Sequence, residues 1–149
     1  ARVITEGARD GHTGSVTAAA RVLAAEGATG VLTLPGDIPA VTAAEVEALA
    51  AAHGPAPAFT IAPAHDEKGS NGVVLSPPGV VPLRFGDDSY FRHLAAARAR
   101  GLEPRVVRLP GLAMDIDCPA DVAMFARLDV ARGTRTLAWL REAGILSRL

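Results

Sequence analysis

The chain has 149 residues, 49% of them hydrophobic, and its 15 lysines and arginines against 16 acids give a formal net charge of −1. This length predicts a single domain over residues 1–149 with a real core, and the balanced charge argues against a nucleic-acid-binding protein, which would carry a basic excess. No apolar run approaches the length of a membrane span. A lone cysteine, Cys118, offers no disulfide framework and fits the reducing cytoplasm, where we expect the protein.

Apolar runs alternate with helical patterns along the whole chain. The predicted strands cover residues 1–5, 31–34, 59–63, 73–76 and 103–109. The predicted helices cover residues 16–25, 43–52, 90–100, 122–128 and 136–142. Thr42 and Ser89 are the expected N-caps of the second and third helices, and Pro119 opens the fourth. This alternation is typical of an α/β fold with a mainly parallel sheet.

Acidic residues follow two apolar segments. Asp37 comes just after the strand at 31–34, which Pro35 and Gly36 terminate, and Asp115 and Asp117 follow a second apolar stretch. In open α/β sheets ligands bind at the carboxyl ends of strands, so these acids are expected at one edge. Like charges repel unless a cation lies between them, and hard oxygen ligands of this kind suit Mg²⁺. The alternative is that Asp37 caps a turn and that the other acids, with Asp121, cap a helix.

Two glycine-containing loops have the composition of an anion-binding site. Residues 68–71 and 86–89 combine glycine with serine, and glycine permits turns whose N–H groups converge on an oxyanion. Ser89 stands at a helix start, where the helix dipole also favours negative charge. The alternative is an ordinary turn followed by an N-cap. Arg92 and His93, in the first turn of that helix, could meet an anionic group or could form a solvated helix face.

Four segments of the chain, in this order, resemble a known enzyme family. They are residues 34–39 (Leu-Pro-Gly-Asp-Ile-Pro), 69–71 (Gly-Ser-Asn), 84–93 (Arg-Phe-Gly-Asp-Asp-Ser-Tyr-Phe-Arg-His) and 111–121 (Gly-Leu-Ala-Met-Asp-Ile-Asp-Cys-Pro-Ala-Asp). The order and content are similar to those of the 2-phospho-L-lactate or phosphoenolpyruvate guanylyltransferases of coenzyme F-420 biosynthesis. The resemblance runs from about residue 14 to about residue 125, and the segment 84–93 is its most specific part.

The resemblance implies a three-layer, nucleotide-diphospho-sugar-transferase-like fold and a nucleotidyltransferase activity. The implied reaction transfers GMP from GTP to the phosphate of a three-carbon phospho-acid (2-phospho-L-lactate, phosphoenolpyruvate or 3-phosphoglycerate) and releases pyrophosphate. The residues that match the family's functional positions are Asp37 and Asp117 for catalysis, these two with Asp115 for Mg²⁺, Ser70, Gly86 and Ser89 for the acceptor acid, and Ser15 for the nucleotide.

The sequence also departs from the family pattern. Cys118 stands where the family usually has threonine, and the family's glycine-rich nucleotide loop, with its basic residues, would precede everything printed here. We therefore expect an N-terminal segment to be missing before Ala1, and we expect that segment or a neighbouring chain to pair with the strand at 31–34. The alternatives are another nucleotidyltransferase of the same fold, such as a molybdenum-cofactor type, a glycosyltransferase, or a non-catalytic binding module. The sequence leaves open the acceptor, the base and the oligomeric state, a homo-oligomer included.

Overall fold

Four strands form one sheet in the order β1–β3–β2–β4 in the computed structural model, which describes residues 2–149. The strands are β1 Val31–Thr33, β2 Ala58–Pro63, β3 Ser70–Ser76 and β4 Arg105–Val106. β3 is antiparallel to both β1 and β2, whereas β4 is parallel to β2. Three strands therefore run in one direction and β3 opposes them, so the sheet is mixed rather than mainly parallel, within the predicted α/β class. The reversal arises because the loop between β2 and β3 is too short for the crossover that parallel neighbours need.

The described residues contain six α-helices. They are α1 Gly11–Ala25, α2 Ala43–Ala51, α3 Ser89–Ala99, α4 Pro110–Ala113, α5 Pro119–Phe125 and α6 Arg135–Glu142. Short 3-10 turns lie at Ala8–Asp10, Asp129–Ala131 and Leu146–Arg148. None of the helices in the described part is long and apolar enough to cross a membrane.

Helices cover both faces of the sheet, so the fold has the three expected layers. One face packs Phe59, Ile61, Val73 and Leu75 against Tyr90 and Ala97 of α3. The opposite face packs Ala62 and Val74 against Leu49 of α2 and Leu112 of α4. Alternate residues of β2 and β3 thus enter different layers, which is the two-residue period of a strand buried on both sides. A further cluster, built on Met114, Phe125, Leu137 and Leu140, joins α5 and α6.

The start of α2 is held by the side chain of Glu45. Thr42 Oγ1 accepts a bond of 3.2 Å from Glu45 N, and Glu45 Oε2 accepts one of 3.3 Å from Thr42 N, so the predicted Thr42 cap is confirmed as a capping box. The other carboxylate oxygen, Glu45 Oε1, accepts a 2.7 Å bond from Gly111 N of α4. One side chain therefore fixes the relative position of α2 and α4.

Several predicted boundaries are wrong. Of the strand predicted at 1–5, Ala1 lies outside the described residues, and residues 2–5 form no strand. The helix predicted from residue 16 begins at Gly11, and the strand predicted at 103–109 shrinks to Arg105–Val106 before α4 begins at Pro110. A strand exists only where a neighbour accepts its hydrogen bonds, and apolar runs in a sequence do not reveal that neighbour.

β1 has one strand neighbour within residues 2–149, which is β3. The expectation that a further strand pairs with its other edge stays a prediction.

Candidate functional site

A cleft of about 660 Å³ opens where the loop after β1, the start of β3, the loop before α3 and the loop after α4 meet. It is lined by His12, Pro35, Asp37, Asp66, Lys68, Gly69, Ser70, Asn71, Phe85, Gly86, Asp87, Asp88, Ser89, Asp115 and Asp117. Six of the seven predicted site residues are in that set. The separate apolar cavity beside α1, of about 440 Å³, contains none of them.

The two acidic loops are joined directly by their backbones. The N–H of Ile116 donates a 3.1 Å bond to the carbonyl oxygen of Asp37. Because Ile116 stands between Asp115 and Asp117, this bond brings both of those residues beside Asp37. The loops therefore share one edge of the sheet, as their positions in the sequence predict.

The loop after α4 is held in place by its neighbours in the sheet. The carbonyl oxygen of Ala113 accepts a 2.8 Å bond from His65 N and a 3.3 Å bond from the side-chain amide of Asn71. Both donors belong to the β2–β3 hairpin. The position of Asp115, two residues further on, is thus tied to the sheet.

Capping of α5 falls to Asp121. Asp121 Oδ2 accepts bonds of 3.0 Å from Asp117 N and 2.8 Å from Cys118 N. Although burial opposes it, these backbone bonds lower the pKa of Asp121. The capping alternative is therefore correct for Asp121, and the side chain of Asp117 faces the cleft.

The electrostatics of the cleft centre on Asp117. Burial and, after it, the carboxylates of Asp115 and Asp37 raise the pKa of Asp117. Such mutual repulsion is relieved when a cation binds between the groups. The carboxylate oxygens of Asp37, Asp115 and Asp117 are donors that suit Mg²⁺, which commonly takes one or two carboxylates and completes its shell with water and substrate phosphates. Within residues 2–149, no three His, Cys, Asp or Glu side chains converge as a complete metal site.

His65 is a site residue that the sequence reasoning missed. Its Nδ1 lies 3.3 Å from Asp115 Oδ1, and its Nε2 lies 3.7 Å from Asp121 Oδ1. The ring therefore bridges an acid of the cleft and the cap of α5. The available signal was its place, two residues after the end of β2, which is the same edge of the sheet as Asp37.

Ser89 is not the N-cap of α3, so that prediction is wrong. It is the first residue of the helix, and the capping position belongs to Asp88, whose backbone is left-handed at φ 52°. Only 2% of Ser89 is exposed, and its hydroxyl donates a 3.2 Å bond to Ser70 Oγ. The two predicted anion loops thus meet through their serines, a contact between residues 19 positions apart that local spacing cannot predict.

Backbone bonds hold the rest of this loop pair. Gly86 adopts φ +105°, which L side chains rarely reach, and its carbonyl accepts a 3.0 Å bond from Ser89 N. Tyr90 N donates a 2.9 Å bond to the carbonyl oxygen of Lys68. The loop before α3 is also bonded to α1, because Thr13 Oγ1 accepts a 2.9 Å bond from Phe85 N.

His93 follows neither of the two alternatives, whereas Arg92 lies on the solvated face of the helix. His93 is fully buried beneath the two loops, and burial lowers its pKa to about 4. Arg92 is exposed. The predicted nucleotide residue, Ser15, lies outside the cleft on α1, where its hydroxyl donates a 3.0 Å bond to Gly11 O. Its role toward a nucleotide stays a prediction.

Comparison with known proteins assigns the chain to a family of guanylyl transferases. The family model described as "Guanylyl transferase CofC like" matches residues 1–147. The chain is similar to a phosphoenolpyruvate guanylyltransferase of Rubrobacter xylanophilus, with 40% identity over 110 residues, 74% of this chain and 52% of that relative. It is also similar to a 3-phospho-D-glycerate guanylyltransferase of Colwellia psychrerythraea, with 36% identity over 97 residues, 65% of this chain and 46% of that relative. The chain spans about half the length of these curated relatives.

A solved structure supports the fold. A crystal structure from Desulfovibrio desulfuricans G20, named as a nucleotide-diphospho-sugar transferase, superposes with a TM-score of 0.70 at 23% identity. The match covers 92% of this chain and 61% of that one. The predicted nucleotide-diphospho-sugar-transferase-like fold is thereby confirmed.

Proposed function

This chain belongs to the guanylyl transferase CofC-like family, and on that basis we propose that the protein transfers GMP from GTP to the phosphate of a three-carbon phospho-acid. The acceptor is 2-phospho-L-lactate, phosphoenolpyruvate or 3-phosphoglycerate, in the synthesis of coenzyme F-420. The observation that carries the proposal is the single cleft that combines the Asp37–Asp117 edge with the Ser70–Ser89 pair. The names of the relatives support the same reaction, and two different acceptors occur among them.

In this reaction an oxygen of the acceptor's phosphate attacks the α-phosphorus of GTP. A P–O–P linkage forms, the bond from the α-phosphorus to the bridging oxygen of the β-phosphate breaks, and pyrophosphate leaves with that electron pair. The attacking oxygen is already ionised at neutral pH, so no general base is needed. Catalysis then rests on positioning the reactants and on balancing their charge.

Each half of the cleft has one task in this proposal. The loops of Ser70, Gly86 and Ser89 would offer the Ser70 hydroxyl and backbone N–H groups to the acceptor's anionic oxygens. Asp37 and Asp117, with Asp115 beside them, would hold Mg²⁺. When bound, Mg²⁺ supplies positive charge that offsets the phosphates and the developing charge on the leaving pyrophosphate. Burial and, after it, the neighbouring carboxylates raise the pKa of Asp117, and a bound cation would relieve the repulsion among these acids.

We place the reaction in the cytoplasm, which supplies GTP and suits the single Cys118.

The test is pyrophosphate release by the complete gene product with Mg²⁺, GTP and each of the three phospho-acids in turn. Sugar 1-phosphates replace the acceptor in one control series, and ATP or CTP replaces GTP in another. The proposal predicts release with GTP and at least one phospho-acid, and much slower release in both controls. The proposal would be contradicted by a folded protein that releases pyrophosphate only with sugar 1-phosphates. A folded protein that releases none with any acceptor would also contradict it.

A further inference from the structure

The buried ring of His93 uses both of its nitrogens. Nε2 accepts a 2.9 Å bond from the backbone N–H of Arg84, and Nδ1 lies 3.0 Å from Ser70 Oγ. A backbone N–H can only donate, so Nε2 carries a lone pair. In a neutral imidazole the proton then sits on Nδ1, which must donate to Ser70. The bond to Arg84 therefore determines the direction of the bond to Ser70.

The Ser70 hydroxyl receives a second bond. Ser89 lies four residues before His93 on α3, so both side chains project from the same face of the helix. Ser89 Oγ donates to Ser70 Oγ over 3.2 Å. A hydroxyl oxygen has two acceptor positions, and these two donors fill both. What remains at Ser70 is its own O–H, in a residue that lines the cleft.

We propose that His93 is a positioning residue that makes Ser70 an obligate hydrogen-bond donor toward the acceptor's anionic oxygen. This inference rests on the proposed function and deepens it, because it assigns selectivity for the acceptor to a residue that touches no substrate. An oxyanion accepts from such a hydroxyl, whereas a ligand group that must donate finds no free lone pair. The aromatic contacts of His93 with Phe85 and Phe59, at centroid distances of 5.0 and 6.3 Å, hold the ring in this orientation.

Two substitutions separate the two bonds of the ring. The amide of His93→Asn lies at the position of Nδ1 and can still donate to Ser70, but it falls short of Arg84. The amide oxygen of His93→Gln lies at the position of Nε2 and can still accept from Arg84, but nothing remains to donate to Ser70. Each variant removes one of the two hydrogen bonds of the buried ring, so similar losses of thermal stability are expected in both.

Steady-state kinetics of the complete gene product distinguish the two variants. His93→Gln is expected to raise KM for the phospho-acid about tenfold, with kcat and KM for GTP little changed, because Ser70 is no longer held as a donor. His93→Asn is expected to keep the KM for the phospho-acid near the unsubstituted value. An unchanged KM in His93→Gln, or equal increases in both variants, would overturn the inference and leave His93 a structural residue.

A double-mutant cycle with Ser70→Ala tests separately whether His93 acts through Ser70. If His93 acts through Ser70, His93→Gln adds no further increase in KM once Ser70 is alanine. Additive increases in KM would overturn the inference. An unsubstituted protein that turns over no phospho-acid would overturn the proposed function and this inference together, whereas an active protein with a normal His93→Gln variant would overturn the inference alone.

Discussion

The backbone N–H of Ile116 donates to the carbonyl oxygen of Asp37 over 3.1 Å, although 79 positions separate the two residues in the chain. This bond aligns the loop after β1 with the loop after α4. The side chains of Asp37, Asp115 and Asp117 consequently line the same cleft. Their mutual repulsion shows in the raised pKa of Asp117, for which burial is the larger cause.

The acidic edge consists of Asp37, Asp115 and Asp117. Removing one of its charges should lower activity without lowering stability. Asp37→Asn or Asp117→Asn is expected to abolish pyrophosphate release, because each removes a carboxylate that we propose as a Mg²⁺ ligand. The unfolding temperature should stay the same or rise, because repulsion is relieved. The measurements are pyrophosphate release at saturating substrates and thermal unfolding.

The matched control for these two substitutions is Asp129→Asn. Asp129 forms an exposed 3.0 Å ion pair with Arg132, and such pairs contribute little. Activity and stability should both remain near those of the unsubstituted protein. If Asp37→Asn retained substantial turnover, the acidic edge would have no catalytic role.

Gly86 and Gly133 offer a matched pair of substitutions to test whether the loop before α3 binds the phospho-acid. Both have positive φ, +105° and +87°, and a Cβ added at either meets no atom within 4 Å. Alanine at either site should therefore cost about 1 kcal/mol or more in the free energy of unfolding through backbone strain alone. Only Gly86→Ala should also raise KM for the phospho-acid, since Gly133 lies outside the cleft. Equal KM values in the two variants would show that the shape of the Gly86 loop does not matter for acceptor binding.

The stability of the fold should fall in mild acid because of His93. Its pKa is lowered by burial to about 4, while the unfolded chain protonates this residue near its ordinary value of 6.5. Between these two values the unfolded state binds the extra proton, so the free energy of unfolding should drop by roughly 3 kcal/mol as the pH falls through this window. His53, whose pKa is also lowered by burial, acts in the same direction.

Urea unfolding at several pH values between 7.5 and 4.5 measures this dependence. His93→Gln should be less stable at neutral pH but should show a shallower loss toward acid. A parent protein whose stability is flat from pH 6.5 to 4.5, or a variant with the parent's slope, would show that His93 is not held neutral in the fold.

Gly111 of α4 packs closely against Ala40 and Glu45, at the start of α2. A Cβ there would collide with the carbonyl oxygen of Ala40 and with Glu45 Oε2, and a backbone carbonyl cannot move cheaply. Gly111→Ala is therefore expected to cost about 1–3 kcal/mol of stability and also to lower kcat, because α4 is followed at once by the loop of Asp115. Gly133→Ala serves as a control with reduced stability and an undisturbed cleft. A Gly111→Ala variant with normal kcat would mean that α4 does not determine the position of Asp115.

The features that the sequence predicted correctly depend on local chemistry. The Thr42 cap, Pro119 at the start of α5 and the position of Asp37 after β1 follow from neighbouring residues alone. Both loops selected for their glycines and serines line the cleft, and their binding of an anion stays a prediction.

The features that the sequence missed depend on distant partners. The bonds from Ser89 and His93 to Ser70 join residues that are 19 and 23 positions apart. Through them Ser89, which was predicted to be a cap, belongs to a buried hydrogen-bond network. His65 likewise contacts Ala113 and Asp115, the latter 50 positions away in the chain. The opposite direction of β3 was readable in principle from the short loop after β2, but periodicity describes burial and not strand direction.

The identity of the reaction product shows whether this protein joins guanosine monophosphate to a phospho-acid. The complete gene product, incubated with Mg²⁺, GTP and phosphoenolpyruvate or another of the phospho-acids, can be followed by ³¹P nuclear magnetic resonance and mass spectrometry. We expect a diphosphate diester that joins guanosine to the acid, together with one equivalent of pyrophosphate, and neither product with Asp37→Asn. Release of phosphate or pyrophosphate without that diester, or an equal yield of diester from Asp37→Asn, would contradict the proposed function.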